Sequence, residues 1–202
     1  MSRSHRSRNE MRLYERSSFA REWLEDARLE QDESRVFSAF FSGYIALAVA
    51  SSQISANNGE SQKYVDESDE HLEKKAIEFA MTQRARAIDK FLISEEGKRF
   101  TGSLRSREVP EGDAFQMIGP LKDHELKMAT QNLFTLWSPL ANESKGQDQI
   151  VSQANHLGLI FRKVRNRLFH GEKLNDPNGT DADLLERLNP ILFGVVAVLL
   201  VH

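Results

Sequence analysis

The sequence predicts an all-α fold, an up-and-down helical bundle carrying one irregular insertion. Three observations predict it. Apolar residues recur at spacings of three and four in nearly every segment, no alternating run of strand length exists, and hydrophobic residues make up 40 % of 202 residues. That is enough to bury one sizeable core in a single domain. With no cysteine in the chain, no disulfide framework, thiolate metal site or cysteine nucleophile is available.

Taken in order, residues 1–9 read as a flexible basic arm, and residues 10–202 as one helical domain. Within 10–30, Leu13, Phe19, Trp23, Leu24 and Ala27 stand among charges and predict an amphipathic helix with those residues on its core face. Residues 33–55 are apolar nearly all round, the pattern of a central helix covered on several sides. The turn residues 56–59 follow. From about 62 to 93 a long charged segment of helical period places Leu72, Ala76, Ile77, Ala80, Met81, Ile88, Phe91 and Leu92 on one broad stripe, with its charged face in solvent. Gly97, Gly102, Pro110, Gly112, Gly119 and Pro120 then scatter through polar sequence, so 94–120 is expected to be an irregular insertion. Helix resumes over 121–138 and stops at Pro139.

The clearest period lies in 147–170, where Ile150, Ala154, Leu157, Phe161, Val164 and Leu168 mark a packing seam. Gly171 suits a C-terminal cap, and 176–179 read as a turn. Thr180 and Asp183 form a capping-box pattern, and Asn189-Pro190 is expected to restart the helix with the proline in a first turn. The longest apolar run, 191–201, is eleven residues, well short of the ~20 that cross a bilayer. No apolar stretch follows the arginine-rich beginning of the chain, so a cytoplasmic location without membrane attachment is expected.

Charge is distributed unevenly. Residues 1–16 carry a net +3 and residues 162–173 a net +4, which leaves −10 on the rest of a chain whose formal total is −3. Two basic islands on an acidic body point to a localised anionic partner. In the second island Arg162, Asn166 and His170 succeed one another at i, i+4 and i+8, while Arg165 stands about 140° round the helix from His170 at ~100° per residue. Arginine offers a permanently charged fork for phosphate oxygens, and histidine exchanges a proton near neutral pH. Such a pair can cleave RNA without metal: one group moves a proton while the other stabilises charge at phosphorus. Arg162, Lys163, Arg167 and Lys173 are candidate phosphate contacts by charge. By itself an Arg/His spacing is weak evidence, since cations near a helix C-terminus are favoured by its dipole.

Other candidates are weaker. His71 lies among Asp66, Glu67, Asp69, Glu70 and Glu73, but no H-E-x-x-H spacing accompanies it, and a solvated charged face is expected. Neither a Gly-x-Ser-x-Gly elbow nor a phosphate-cradling Gly-x-x-x-x-Gly-Lys loop is present. No cofactor and no metal are expected.

The string Val-Arg-Asn-Arg-Leu-Phe-His-Gly-Glu-Lys at 164–173 closely resembles the signature of the HEPN superfamily (higher eukaryotes and prokaryotes nucleotide-binding). Its pattern is Arg, a polar residue often Asn, a few variable positions and then His. Arg35-Val36-Phe37 leading into the Tyr44-containing helix, and the Asp/Leu-rich final helix, match the family's layout more weakly. The resemblance implies an all-α bundle, usually a homodimer whose two motifs face a shared cleft. It implies a metal-independent endoribonuclease of bacterial defence or toxin–antitoxin type, with RNA as substrate and an antitoxin as possible protein partner. The alternative it leaves is a catalytically silent module that binds RNA, nucleotide or protein. Carried over by position, Arg165 would stabilise the scissile phosphate, His170 would transfer a proton at the 2′-hydroxyl or leaving oxygen, and Asn166 would position the pair. The 94–120 insertion departs from the minimal family bundle.

Overall fold

The computed structural model describes residues 3–59, 69–105, 146–169 and 180–201. Among them lie seven helices and no strand: α1 (Arg3–Asp32), α2 (Val36–Asn57), α3 (Asp69–Gln83), α4 (Ala85–Ile93), α5 (Glu95–Arg105), α6 (Gln147–Phe169) and α7 (Thr180–Leu200). The expected helix over 121–138, the turn at 176–179 and the proposed cap Gly171 lie outside the described residues.

Helix α1 reaches back to Arg3, so the stretch expected as an arm continues the first helix. No proline or glycine interrupts 3–32, which leaves nothing to stop helical propagation backwards. At its other end the Ser34 N–H donates to the Gln31 carbonyl at 3.0 Å and the Arg35 N–H to the Glu30 carbonyl at 2.8 Å. This is a Schellman closure with Ser34, at φ +59°, in the position usually held by glycine. It folds α2 back against α1, and the Ser42 hydroxyl ties the two by donating to Glu30 at 2.7 Å. One expected core residue is misplaced: Phe19 is 47 % exposed, meeting Trp23 edge-on at 6.0 Å, while Ala20, Leu24 and Ala27 fill the buried side.

Helix α2 is central, packed by α1, α3, α6 and α7. It has the length and apolarity of a membrane span, yet more than half of its apolar stretch, Phe40, Tyr44 and Leu47 included, is buried inside the protein. The helical segment expected over about 62–93 is two helices as far as it is described, with a break at Arg84, φ −103° and ψ 10°. The apolar stripe survives the break: Ala76, Ile77, Ala80 and Met81 on α3 and Ile88 and Leu92 on α4 are all buried.

Two expectations about irregular structure are corrected. The first eleven residues of the proposed insertion, after Ser94, are helix α5. Ser94 starts it: its Oγ accepts from the Gly97 N–H at 3.1 Å, and Glu95 and Glu96 sit in the first turn, where the helix dipole favours them. The remainder of the insertion, 106–120, lies outside the described residues. Likewise Asn189-Pro190 starts no new helix; Pro190 is interior to a continuous α7.

A proline inside a helix forfeits the bond to the carbonyl four residues back and costs about 3 kcal/mol. Here the orphaned carbonyl is that of Glu186, and Gln31 Nε2 of α1 donates to it at 3.4 Å. Next door, Asn189 Nδ2 donates to Gln31 Oε1 at 2.7 Å and to the Val36 carbonyl at 2.9 Å. Side chains thus replace the lost backbone bond. Replacing the buried Asn189 by Ala would leave two half-buried acceptors without this donor and should cost about 1–3 kcal/mol. Urea unfolding of the variant measures it, and a change under about 0.5 kcal/mol would contradict this role.

Helix α6 carries its expected seam. Ala154, Leu157, Phe161, Val164 and Leu168 are buried against the core, joined by Ile160. His156, on the same helix, has its pKa lowered by burial, so it is neutral in the folded protein over a range where the unfolded chain is protonated. The unfolded state then binds more protons, and stability must fall as pH drops below the ordinary histidine value of about 6.5. His156→Gln should flatten that limb of the stability–pH curve; chemical denaturation of both proteins between pH 7.5 and 5 checks it.

Candidate functional site

The site is built where α2, α3 and the C-terminal half of α6 meet. Val164 and Leu168 anchor α6 in the core, so the residue between them in register, Arg165, leaves the helix beside that seam and lies over α2 and α3. Its Nη1 donates to Asn166 Oδ1 at 2.9 Å. Its Nη2 stands 3.7 Å from Glu73 Oε2, an ion pair between side chains only 28 % and 25 % exposed. The guanidinium carbon lies 5.6 Å from the centre of the Tyr44 ring, within cation–π range.

Tyr44 joins this surface cluster to the core. Its ring is buried and stacks on Phe40 with centroids 6.3 Å apart. Its hydroxyl donates to Glu73 Oε1 at 2.6 Å, a short charge-assisted bond. Burial raises the phenol pKa far above its ordinary value, and the hydrogen bond to Glu73 and that residue's charge push the same way. Arg165 and Arg162 oppose the rise by charge. The hydroxyl therefore keeps its proton and remains a donor throughout the biological pH range.

The structure brings together Arg165 and Asn166, with Arg162 near enough to act on Tyr44 electrostatically. Arg162, Lys163, Arg165 and Asn166 are all partly exposed along α6. Arg167 belongs to the same helix, its side chain outside the described set, and His170 and Lys173 lie outside the described residues. Glu73 corrects an expectation. The sequence places it on a solvated charged face, yet it is three-quarters covered and holds both Tyr44 and Arg165. The signal for it was register: Glu73, Ile77, Ala80 and Met81 follow at spacings of four, three and one, which extends the buried stripe of α3 one turn back. His71 is exposed on the same helix. Among the described residues no group of three His, Asp or Glu side chains converges as a ligand set.

The chemistry available here is anion recognition. A guanidinium set on an aromatic face, shared with an amide oxygen and a carboxylate, has restricted orientation, and arginine's planar fork suits phosphate. Comparison with known proteins adds nothing to this geometry: no family model, no curated protein and no solved structure matches the chain.

Proposed function

We propose that this chain is a HEPN-type, metal-independent endoribonuclease that cuts single-stranded RNA through its 2′-hydroxyl. The observation that carries the reading is the adjacent Arg165–Asn166 pair, hydrogen-bonded at 2.9 Å and partly exposed on α6, a helix that runs to Phe169 and so directly precedes His170. Arg165 contacts and stabilises the scissile phosphate, Asn166 orients it, and His170 transfers the proton. Arg162, Lys163, Arg167 and Lys173 supply electrostatic contacts to neighbouring phosphates. One Arg and one His make a sparse site, and a two-fold contact that places two copies in one cleft completes it. The protein therefore works as a cytoplasmic homodimer in bacterial defence or a toxin–antitoxin pair, with an antitoxin as its protein partner.

The purified dimer, identified by light scattering, should cleave labelled single-stranded RNA equally well in excess EDTA and leave DNA of the same sequence intact, because DNA lacks the attacking hydroxyl. Activity that disappears with chelator and returns with magnesium would overturn the mechanism. RNA binding without cleavage would make the chain a silent binding module instead.

A further inference from the structure

We propose that Glu73 and Tyr44 are positioning residues for Arg165, Tyr44 fixing the Glu73 carboxylate and the two together holding the guanidinium at the angle a phosphate requires. The inference rests on the RNA-cleaving reading above and adds two residues that lie far from the 164–173 string in sequence.

The contacts form one chain from core to surface. Phe40 fixes the Tyr44 ring by stacking, Tyr44 Oη holds Glu73 Oε1 at 2.6 Å, and Glu73 Oε2 faces Arg165 Nη2 at 3.7 Å. Asn166 takes Nη1 at 2.9 Å, and the Tyr44 ring lies under the guanidinium carbon. The distances are unequal in a telling way. Between Tyr44 and Glu73 there is a full hydrogen bond, whereas Glu73 and Arg165 stand beyond hydrogen-bond range. The carboxylate is thus fixed by the tyrosine and attracts the arginine without closing on it as a bidentate pair. An arginine closed on Glu73 as a bidentate pair would have to break that pair to meet phosphate; at this distance Glu73 orients the guanidinium without that particular cost. The same carboxylate also repels an incoming phosphate, so its charge should weaken ground-state binding of RNA while its tether improves the geometry of the reacting complex.

That opposition gives a signature that loss of packing does not produce. Glu73→Gln keeps size and an acceptor for Tyr44 but removes the charge. Its kcat should fall about 10- to 100-fold, the scale expected for a misplaced catalytic group, while KM for RNA falls or stays level. Tyr44→Phe keeps the ring and its stacking and removes only the hydroxyl, and its kcat should fall about 3- to 10-fold, near the worth of one hydrogen bond. The double variant should be no worse than Glu73→Gln alone, because both changes cut one tether. A second readout needs no cleavage. In ¹⁵N NMR the Arg165 Nε–Hε resonance, identified by its loss in Arg165→Lys, should be sharp in the parent protein and broadened in Glu73→Gln, with the backbone spectrum unchanged.

If the parent protein cuts RNA and both variants match its kcat and KM, the positioning role is wrong. It is equally wrong if KM rises while kcat holds, since Glu73 would then be binding substrate. Should the parent protein fail to cut RNA at all, the ribonuclease reading falls, and the Nε–Hε resonance alone decides whether Glu73 orders Arg165. An Arg165 signal equally sharp in Glu73→Gln rejects that ordering.

Discussion

RNA cleavage by His170→Ala is expected to fall about 10²- to 10⁴-fold or more, the range for loss of a positioned proton-transfer group, while RNA affinity changes little. The substitution removes the imidazole and leaves Arg162, Lys163, Arg165, Arg167 and Lys173, the cationic residues of 162–173, to hold phosphate. Binding to phosphate is additive and electrostatic, whereas proton transfer rests on the one imidazole in 162–173, the side-chain type whose ordinary pKa lies nearest neutral pH. Arg165→Ala should differ in kind, weakening turnover and binding together, because it removes charge at the transition state and a ground-state contact at once. Rates measured at saturating enzyme separate the two, with circular dichroism confirming that each variant folds. Wild-type cleavage by folded His170→Ala would remove histidine from the mechanism and favour the silent binding module.

Gly97→Ala should lower stability by about 2–3 kcal/mol or more, against the ordinary rule for a helix interior, where Ala exceeds Gly by roughly 1 kcal/mol. Gly97 is buried in the first turn of α5, where that helix doubles back on the end of α4. A methyl there would run into the Phe91 carbonyl oxygen and lie 2.8 Å from Leu92 Cα. Both obstacles are backbone, and the Phe91 carbonyl is already committed to Ser94, accepting from its N–H at 3.0 Å and its hydroxyl at 2.6 Å. Relief would mean breaking the α4–α5 corner. Thermal unfolding should show a midpoint lowered by roughly 5–10 °C, at 2–4 °C per kcal/mol for a chain this long. A raised midpoint would show that helix propensity outweighs the close approach.

Residues whose environment is set by local period were legible. The α6 seam from Ala154 to Leu168 and the α3–α4 stripe followed from spacing alone, because a helix that buries one face writes its period into the chain. The failures share a cause: each depends on a contact that exists only once one helix has turned against another. Gly97 reads as a helix breaker until the carbonyl it must clear is known. Pro190 reads as a boundary because the groups that compensate for it, Gln31 and Asn189, belong to a contact made only in the folded bundle. Phe19 and Ala20 are adjacent on α1, and only the position of α2 decides which of them is covered. At the candidate site, Arg165 and Asn166 stood out through their motif, whereas Glu73 looked like one more acid on a charged helix. Its partner Tyr44 lies on α2, and no local pattern joins the two.

The compensation of Pro190 also has a consequence in time. Gln31 and Asn189 are 158 residues apart, and closing so long a loop costs entropy that grows as about (3/2)RT ln n before any contact repays it. Until that closure, the Glu186 carbonyl in α7 has only water in place of the Gln31 amide. Helix α7 is therefore expected to reach its full stability only when α1 docks on it. Docking of α1 on α7 is thus expected to be a late, non-local step in folding. In the native protein the same linkage works in reverse: α7 amides beside Pro190 should exchange with solvent more slowly than those at the ends of the helix, and Asn189→Ala should narrow that difference.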